Sequence, residues 1–177
     1  MLKLHIGCGK RKIPGFINLD ILERPEVDIV DNARTLEKIK NSSCDIIYAS
    51  HVLEHFGRYE FSEALRTWHK KLKPGGLLRV SVPDFEKVIH YYNSGGKLSD
   101  LLGFLYGGQR DEFDYHKIIF DRISLTSEFL DVGFSSVRSW DWKKTEHREV
   151  DDYSQAYLPH MDKKNGLLMS LNLEAIK

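Results

Sequence analysis

The sequence predicts an α/β fold, a mostly parallel sheet with helices on both faces, and three observations carry that reading. Short apolar runs rich in β-branched residues alternate with segments of helical period. Gly, Pro or Asp stands directly beside four of the five clearest runs. The 177 residues suffice for one domain with a sizeable core and fall short of two, so a single domain over residues 1–177 is expected.

Taken in order, strands are expected at Leu2 to Ile6, Phe16 to Asp20, Asp28 to Val30, Asp45 to Ala49 and Leu77 to Val82. Between the fourth and fifth, Phe61, Ala64, Leu65, Trp68 and Leu72 recur at three- and four-residue steps and mark one apolar helix face. Lys73-Pro74-Gly75-Gly76 stops that helix, because proline cannot continue the ladder and glycine accepts a left-handed turn. Helical stretches around Val88 and Leu101 are broken at Gly95-Gly96 and Gly107-Gly108, the least regular part of the chain. A lid or acceptor-site insertion is therefore expected at about 84–122. A short helix through Leu125 and Phe129 ends at Gly133, and Phe134 to Trp140 starts a sixth strand. Met169, Leu171, Leu173 and Ala175 alternate with Ser170, Asn172 and Glu174, which predicts a half-buried antiparallel strand hairpinned onto the sheet edge.

Charge narrows the partners. Lys plus Arg equals Asp plus Glu at 26 each, so no global field draws the chain to nucleic acid, and no nucleic-acid partner is expected. Gly7 breaks the first apolar run too early for a signal peptide, and no run reaches membrane-spanning length. The expectation is a cytoplasmic protein without a membrane partner. Cys8 and Cys44 match no zinc spacing and read as reduced thiols.

The first strand runs into Gly7-Cys8-Gly9, a turn that lets backbone approach a ligand closely, although alone it is equally compatible with no ligand. The second strand ends in Asn18-Leu19-Asp20, which places a carboxylate where related folds grasp ribose hydroxyls. Lys10 to Gly15 leaves no room for the helix whose N-terminus holds a pyrophosphate, which favours a nucleoside ligand without phosphates over NAD. Asp31-Asn32-Ala33 follows the third strand. There a carboxylate and an amide can meet an adenine amine, or Asp31 can cap the next turn.

Together with Ser50-His51-Val52-Leu53-Glu54-His55, Leu72 to Leu78 and Gly133-Phe134, these motifs make the chain resemble the class I S-adenosylmethionine-dependent methyltransferases, in particular compact bacterial and phage members. The resemblance implies a Rossmann-like, seven-stranded, mostly parallel sheet with an antiparallel last strand. It also implies S-adenosylmethionine as cofactor, held by Ile6, Gly7, Cys8 and Gly9 at the methionine end, Asp20 at the ribose, Asp31, Asn32 and Ala33 at the adenine, and Ser50 with His51 as floor. The chain departs from the family pattern at His5, where an acid is usual, and at Arg11, where a third glycine is usual.

Methyl transfer needs alignment above all, with a base only where the acceptor must lose a proton. The catalytic candidates are Asp84, at the carboxyl end of the fifth strand, and His116; a helix cap and a packed imidazole are their ordinary alternatives. Tyr91, Tyr92, Phe104, Tyr106, Phe113 and Tyr115 read as core or as an aromatic acceptor pocket, Lys143 to Arg148 as a solvated loop, and Tyr153 to His160 as a candidate acceptor wall. His51 to His55 also satisfies the H-x-x-E-H pattern of inverted zinc proteases, but that pattern needs a continuous helix and here follows a strand, so no metal is expected. The expected activity is methyl transfer to a small molecule, a sugar or other metabolite hydroxyl. The alternative is a methyltransferase-like, non-catalytic partner subunit, and the sequence is silent on oligomeric state.

Overall fold

Alternation along the strands sorts side chains to two faces, and the whole architecture follows from what each face meets. The computed structural model describes residues 1–177. Strands β1 (Lys3–Ile6), β2 (Ile17–Asp20), β3 (Ile29–Val30), β4 (Cys44–Ser50) and β5 (Leu72–Pro83) are joined by parallel pairings, with β1 at their centre between β2 and β4. Helices α1 (Phe61–Lys71), α2 (Phe85–Asn93), α3 (Leu98–Tyr106) and α4 (Arg122–Val132) follow in the chain, then β6 (Ser136–Ser139), a small hairpin of β7 (Tyr157–Leu158) and β8 (Leu167–Leu168), and β9 (Ser170–Ile176). The main sheet has seven strands in the order β3-β2-β1-β4-β5-β9-β6.

On one face Leu4, Ile6, Ile47, Ala49, Leu78, Val80, Leu171 and Leu173 are fully or almost fully buried against α1 and α4. The α1 face is the expected one: Phe61, Ala64, Leu65 and Trp68 are its buried residues, and the Trp68 indole N–H donates to the Ala33 carbonyl at 2.6 Å. Asp121 caps α4 in a reciprocal box with Ser124, and Gly133, at φ 110°, closes its other end in the left-handed region. Lys73 to Gly76 ends α1 and then forms a bulge inside β5, tied to the C-terminus by the Gly75 N–H donating to the Lys177 carbonyl.

Three expectations are corrected. The last strand does not sit at the sheet edge: β9 lies between β5 and β6, antiparallel to both. It is also buried on both faces, because its polar residues have partners there. The Ser170 hydroxyl donates to the Tyr153 carbonyl, the Asn172 amide to the Ser154 carbonyl, and Glu174 accepts from Arg79 and Arg138. Secondly, the cover is uneven, with α1 and α4 packed together on one face. The opposite face meets the helix-free segment 10–16 and the short 3-10 turns Trp142–Lys144 and Tyr153–Gln155, with Ile13, Phe16, Tyr48 and Trp140 as its apolar core. Thirdly, 143–148 is not simply a solvated loop: Thr145 and His147 are buried, and Glu146 pairs with Lys3 and Arg79.

No helix is long and apolar enough to cross a membrane.

Candidate functional site

The carboxyl ends of β1, β2 and β4 open into a cleft of about 600 Å³, where an open α/β sheet places a ligand. Of the expected cofactor residues, Gly7, Cys8, Gly9, Asp20, Asn32, Ala33, Ser50 and His51 line it. Ile6 does not; its side chain is fully buried in the core on the α1 face. Asp31 does not either, because its carboxylate accepts from the Asn32 and Lys38 N–H groups and so caps the following turn.

The glycine turn is built for close approach. Gly7 sits at φ 65°, and a Cβ there would run into the Val52 side chain on the cleft floor. Gly9, at φ 55°, has open space where a side chain would project. Gly7→Ala is expected to destabilise the fold by about 2 kcal/mol, from left-handed strain plus displacement of Val52. Thermal melting checks this, and an unchanged midpoint would show that Val52 gives way freely.

No helix occupies the connection from β1 to β2, as the spacing predicts. A buried amide does the stitching instead. The Asn18 side chain accepts from the Ile13 N–H at 2.8 Å and from the His5 ring, and it donates to the Ile13 and Phe16 carbonyls. Asp20 then stands at the strand end, accepting from the Gly9 N–H at 2.8 Å and the Leu22 N–H at 2.9 Å. Each oxygen keeps a second lone pair, and Asp20 lines the cleft. Burial, with the nearby Asp20 charge, pushes the Cys8 thiol up to about 12, so it stays protonated and is no nucleophile.

The far wall of the cleft comes from the segment between α3 and α4. Residues 110–114 and Lys117 reach the cleft, with Arg110 ion-paired to Asp114 at 2.6 Å. Tyr153 lines it too, with the Arg11 guanidinium 4.4 Å from its ring, a stacking that single residues gave no sign of in the sequence. The expected aromatic cluster divides. Tyr91 and Phe104 pack onto the small core of Val88, Leu101, Leu158 and Met169, Tyr92 and Tyr106 are exposed, and Phe113 alone of the six lines the cleft.

The two catalytic candidates sit elsewhere than the cleft wall. Asp84 caps α2, accepting from the Glu86 N–H at 3.0 Å, and does not line the cleft. His116 is turned into a buried group with Glu54 and His55: its Nε2 lies 3.8 Å from Glu54 Oε1, and its ring centre is 4.9 Å from that of His55. His51, held at φ 54°, brings Nδ1 to 3.1 Å from the same oxygen. Burial pushes Glu54 up to about 8 and lowers all three imidazoles, so the histidines are neutral near pH 7. Glu54 and His55 were legible only as part of the H-x-x-E-H spacing. The continuous helix of a zinc protease is absent, since Leu53–His55 is a single 3-10 turn.

Residues 16–80 match the family described as the methyltransferase domain. A SAM-dependent methyltransferase from Archaeoglobus fulgidus superposes with a TM-score of 0.60 at 17% identity, over 99% of this chain and 85% of that one. The chain has the class I methyltransferase fold. The 1,6-didemethyltoxoflavin-N1-methyltransferase of Burkholderia thailandensis, solved with 1,6-didemethyltoxoflavin and S-adenosylhomocysteine bound, shares this methyltransferase fold at TM-score 0.62 and 16% identity, over 99% and 70% of the two chains. A Mesorhizobium loti methyltransferase does so at 0.53 and 14%, over 99% and 90%. No curated protein matches the chain in sequence.

Proposed function

We propose that this chain binds S-adenosylmethionine in the cleft and transfers its methyl group to a hydroxyl of a small metabolite. The observation that carries the reading is the juxtaposition at one sheet end of the Gly7–Gly9 turn, the Asp20 carboxylate and the Asn32-Ala33 backbone, with no helix N-terminus to anchor a pyrophosphate. The cleft volume falls in the range of small-molecule sites.

The residues present fit the donor. Asp20 has lone pairs free for two ribose hydroxyls, Gly9 leaves open space beside the backbone, and Asn32 offers an amide to an adenine edge. S-adenosylmethionine, when bound, supplies an electrophilic methyl carbon on a positively charged sulfur. The protein's part is alignment and exclusion of water: Val52 and His51 form the floor, and 110–114 with Tyr153 close the opposite wall.

Calorimetric titration with S-adenosylhomocysteine tests the reading. Saturable binding near one equivalent is expected, with a rise in melting temperature equivalent to about 2.7 kcal/mol at a hundredfold excess over Kd. Well-folded protein that binds neither this product nor S-adenosylmethionine would overturn the donor site and leave the non-catalytic partner reading; stabilisation by NAD alone would point to a nicotinamide enzyme.

A further inference from the structure

We infer that Glu54, His55 and His116 form a binding site for a divalent transition-metal ion, with open coordination positions facing the cleft for oxygen atoms of a ligand. Nothing in the donor site requires this group, and its location between the end of β4 and the lid is specific. The Lys117 N–H donates to the Glu54 carbonyl at 2.8 Å, which fastens the lid beside the Leu53–His55 turn and brings His116 to Glu54. One donor atom from each of the three residues lies within 4.8 Å of the others. A tetrahedral site with ~2.0–2.2 Å bonds has edges of about 3.4 Å, so small side-chain rotations close the gap.

The hydrogen bonds fix which ring nitrogens are free. His55 Nδ1 lies 3.1 Å from the Tyr115 carbonyl and His116 Nδ1 3.0 Å from the Phe104 carbonyl. A carbonyl can only accept, so both Nδ1 atoms carry the proton and both Nε2 atoms are bare. This is the arrangement that orients a metal-binding histidine. His51 completes the argument. Ser170 Oγ gives its proton to the Tyr153 carbonyl at 2.6 Å and so accepts from His51 Nε2, which leaves His51 Nδ1 bare as well.

His51 Nδ1 at 3.1 Å and His116 Nε2 at 3.8 Å thus face Glu54 Oε1 without a proton of their own, and Glu54 is fully buried with neither carboxylate oxygen hydrogen-bonded. A buried acceptor among acceptors needs a positive partner. A single proton on Glu54 can answer only one nitrogen, the nearest being His51 Nδ1. A metal ion answers the carboxylate and both Nε2 atoms together. Two imidazoles and one carboxylate suit a first-row ion such as Zn²⁺ or Co²⁺ better than Mg²⁺, and three protein ligands leave positions for water or a ligand oxygen. His55 lines the cleft to which the proposed function assigns the methyl donor, so those positions face a ligand held there. The metal site stands without that function; only the identity of the incoming oxygen as the acceptor's rests on it.

Chelator-stripped protein titrated with Zn²⁺, and separately with Co²⁺ followed by visible absorption, tests the inference. About one equivalent of tight binding is expected, with a Co²⁺ spectrum of low-symmetry nitrogen and oxygen ligation that changes on adding acetohydroxamate as an oxygen-donor probe. Glu54→Gln and His116→Ala should each weaken binding at least roughly 100-fold, more than loss of an outer partner does, while His90→Ala, outside the cluster, should not. Glu54→Gln is nearly isosteric, and melting curves confirm that each variant is folded. Absence of stoichiometric binding, or binding indifferent to both ligand substitutions, would overturn the site; a spectrum indifferent to acetohydroxamate would overturn its open positions. S-adenosylhomocysteine titration of the same stripped protein separates the two readings: protein that binds S-adenosylhomocysteine but takes up no added metal defeats the metal site alone, and protein that takes up metal but binds no S-adenosylhomocysteine defeats the methyltransferase reading alone.

Discussion

Asp20→Ala is expected to weaken S-adenosylhomocysteine binding by about 10² to 10⁴-fold in calorimetric titration. A hydrogen bond to a charged group contributes about 1.5–3 kcal/mol, and the two free lone-pair positions of Asp20 match two vicinal ribose hydroxyls. The same carboxylate accepts from the Gly9 N–H and so holds the glycine turn, which means that Ala removes ribose contacts and loosens the turn together. Asp20→Asn separates the contributions. Its single oxygen can still take the Gly9 N–H, so the turn should persist and the affinity should fall between those of Ala and wild type. Wild-type affinity in Asp20→Ala, with an unchanged melting curve, would remove the donor from this end of the sheet and with it the proposed function.

The element order was legible because it rests on local periodicity. The 3.6-residue spacing of Phe61, Ala64, Leu65 and Trp68 and the short β-branched runs specify α1 and the parallel strands before any tertiary contact is known. The place of β9 was not legible from the same kind of signal. Its alternation predicts one wet face, but Ser170, Asn172 and Glu174 are satisfied by Tyr153, Ser154, Arg79 and Arg138, residues between 17 and 95 positions away, and no local pattern encodes such partners. The donor site divides the same way. Gly7, Gly9 and Asp20 announce themselves by strand-end punctuation, while Asp31 was ambiguous between ligand and cap until the Asn32 and Lys38 N–H groups showed it capping. The Glu54 group was hidden for a further reason. His116 follows His55 by 61 positions, and long-range bonds such as Lys117 N–H to the Glu54 carbonyl and His55 Nδ1 to the Tyr115 carbonyl bring them together. His116 was thus singled out for catalysis, and Glu54 and His55 only as part of the H-x-x-E-H spacing, with nothing to join the two.

The polar face of the sheet carries a pH response of its own. His147 is 4% exposed, its ring centre 4.3 Å from that of Tyr48 and edge-on to Phe16 and Trp140, and neither ring nitrogen has a hydrogen-bond partner. Burial dominates and lowers it to about 4. Asp152 and Glu146 oppose that shift, and Arg79 and His5 add to it. His5, on the same face, is lowered as well, again chiefly by burial. In the unfolded chain an imidazole protonates near 6.5, so between pH 6.5 and about 4 the unfolded state binds more protons than the folded one. The stability due to a neutral His147 is therefore complete above pH 6.5 and is lost as pH falls, by about 2 kcal/mol at pH 5 and about 3 kcal/mol near pH 4. Urea midpoints at pH 7 and pH 5 measure it. His147→Phe keeps an aromatic ring on Tyr48 and removes both the titration and two unsatisfied polar atoms, so it should match wild type or exceed it at pH 7 and exceed it clearly at pH 5. Two carboxyls titrate lower, since the Lys3 and Arg79 partners of Glu146 help to hold it at about 2 and Lys12 with Asn18 holds Asp28 at about 2, while the other buried imidazoles are common to wild type and variant and cancel in the comparison. An acid slope between pH 7 and 5 that is equally steep in wild type and His147→Phe would place the titration elsewhere and show that His147 is already solvated in the native state.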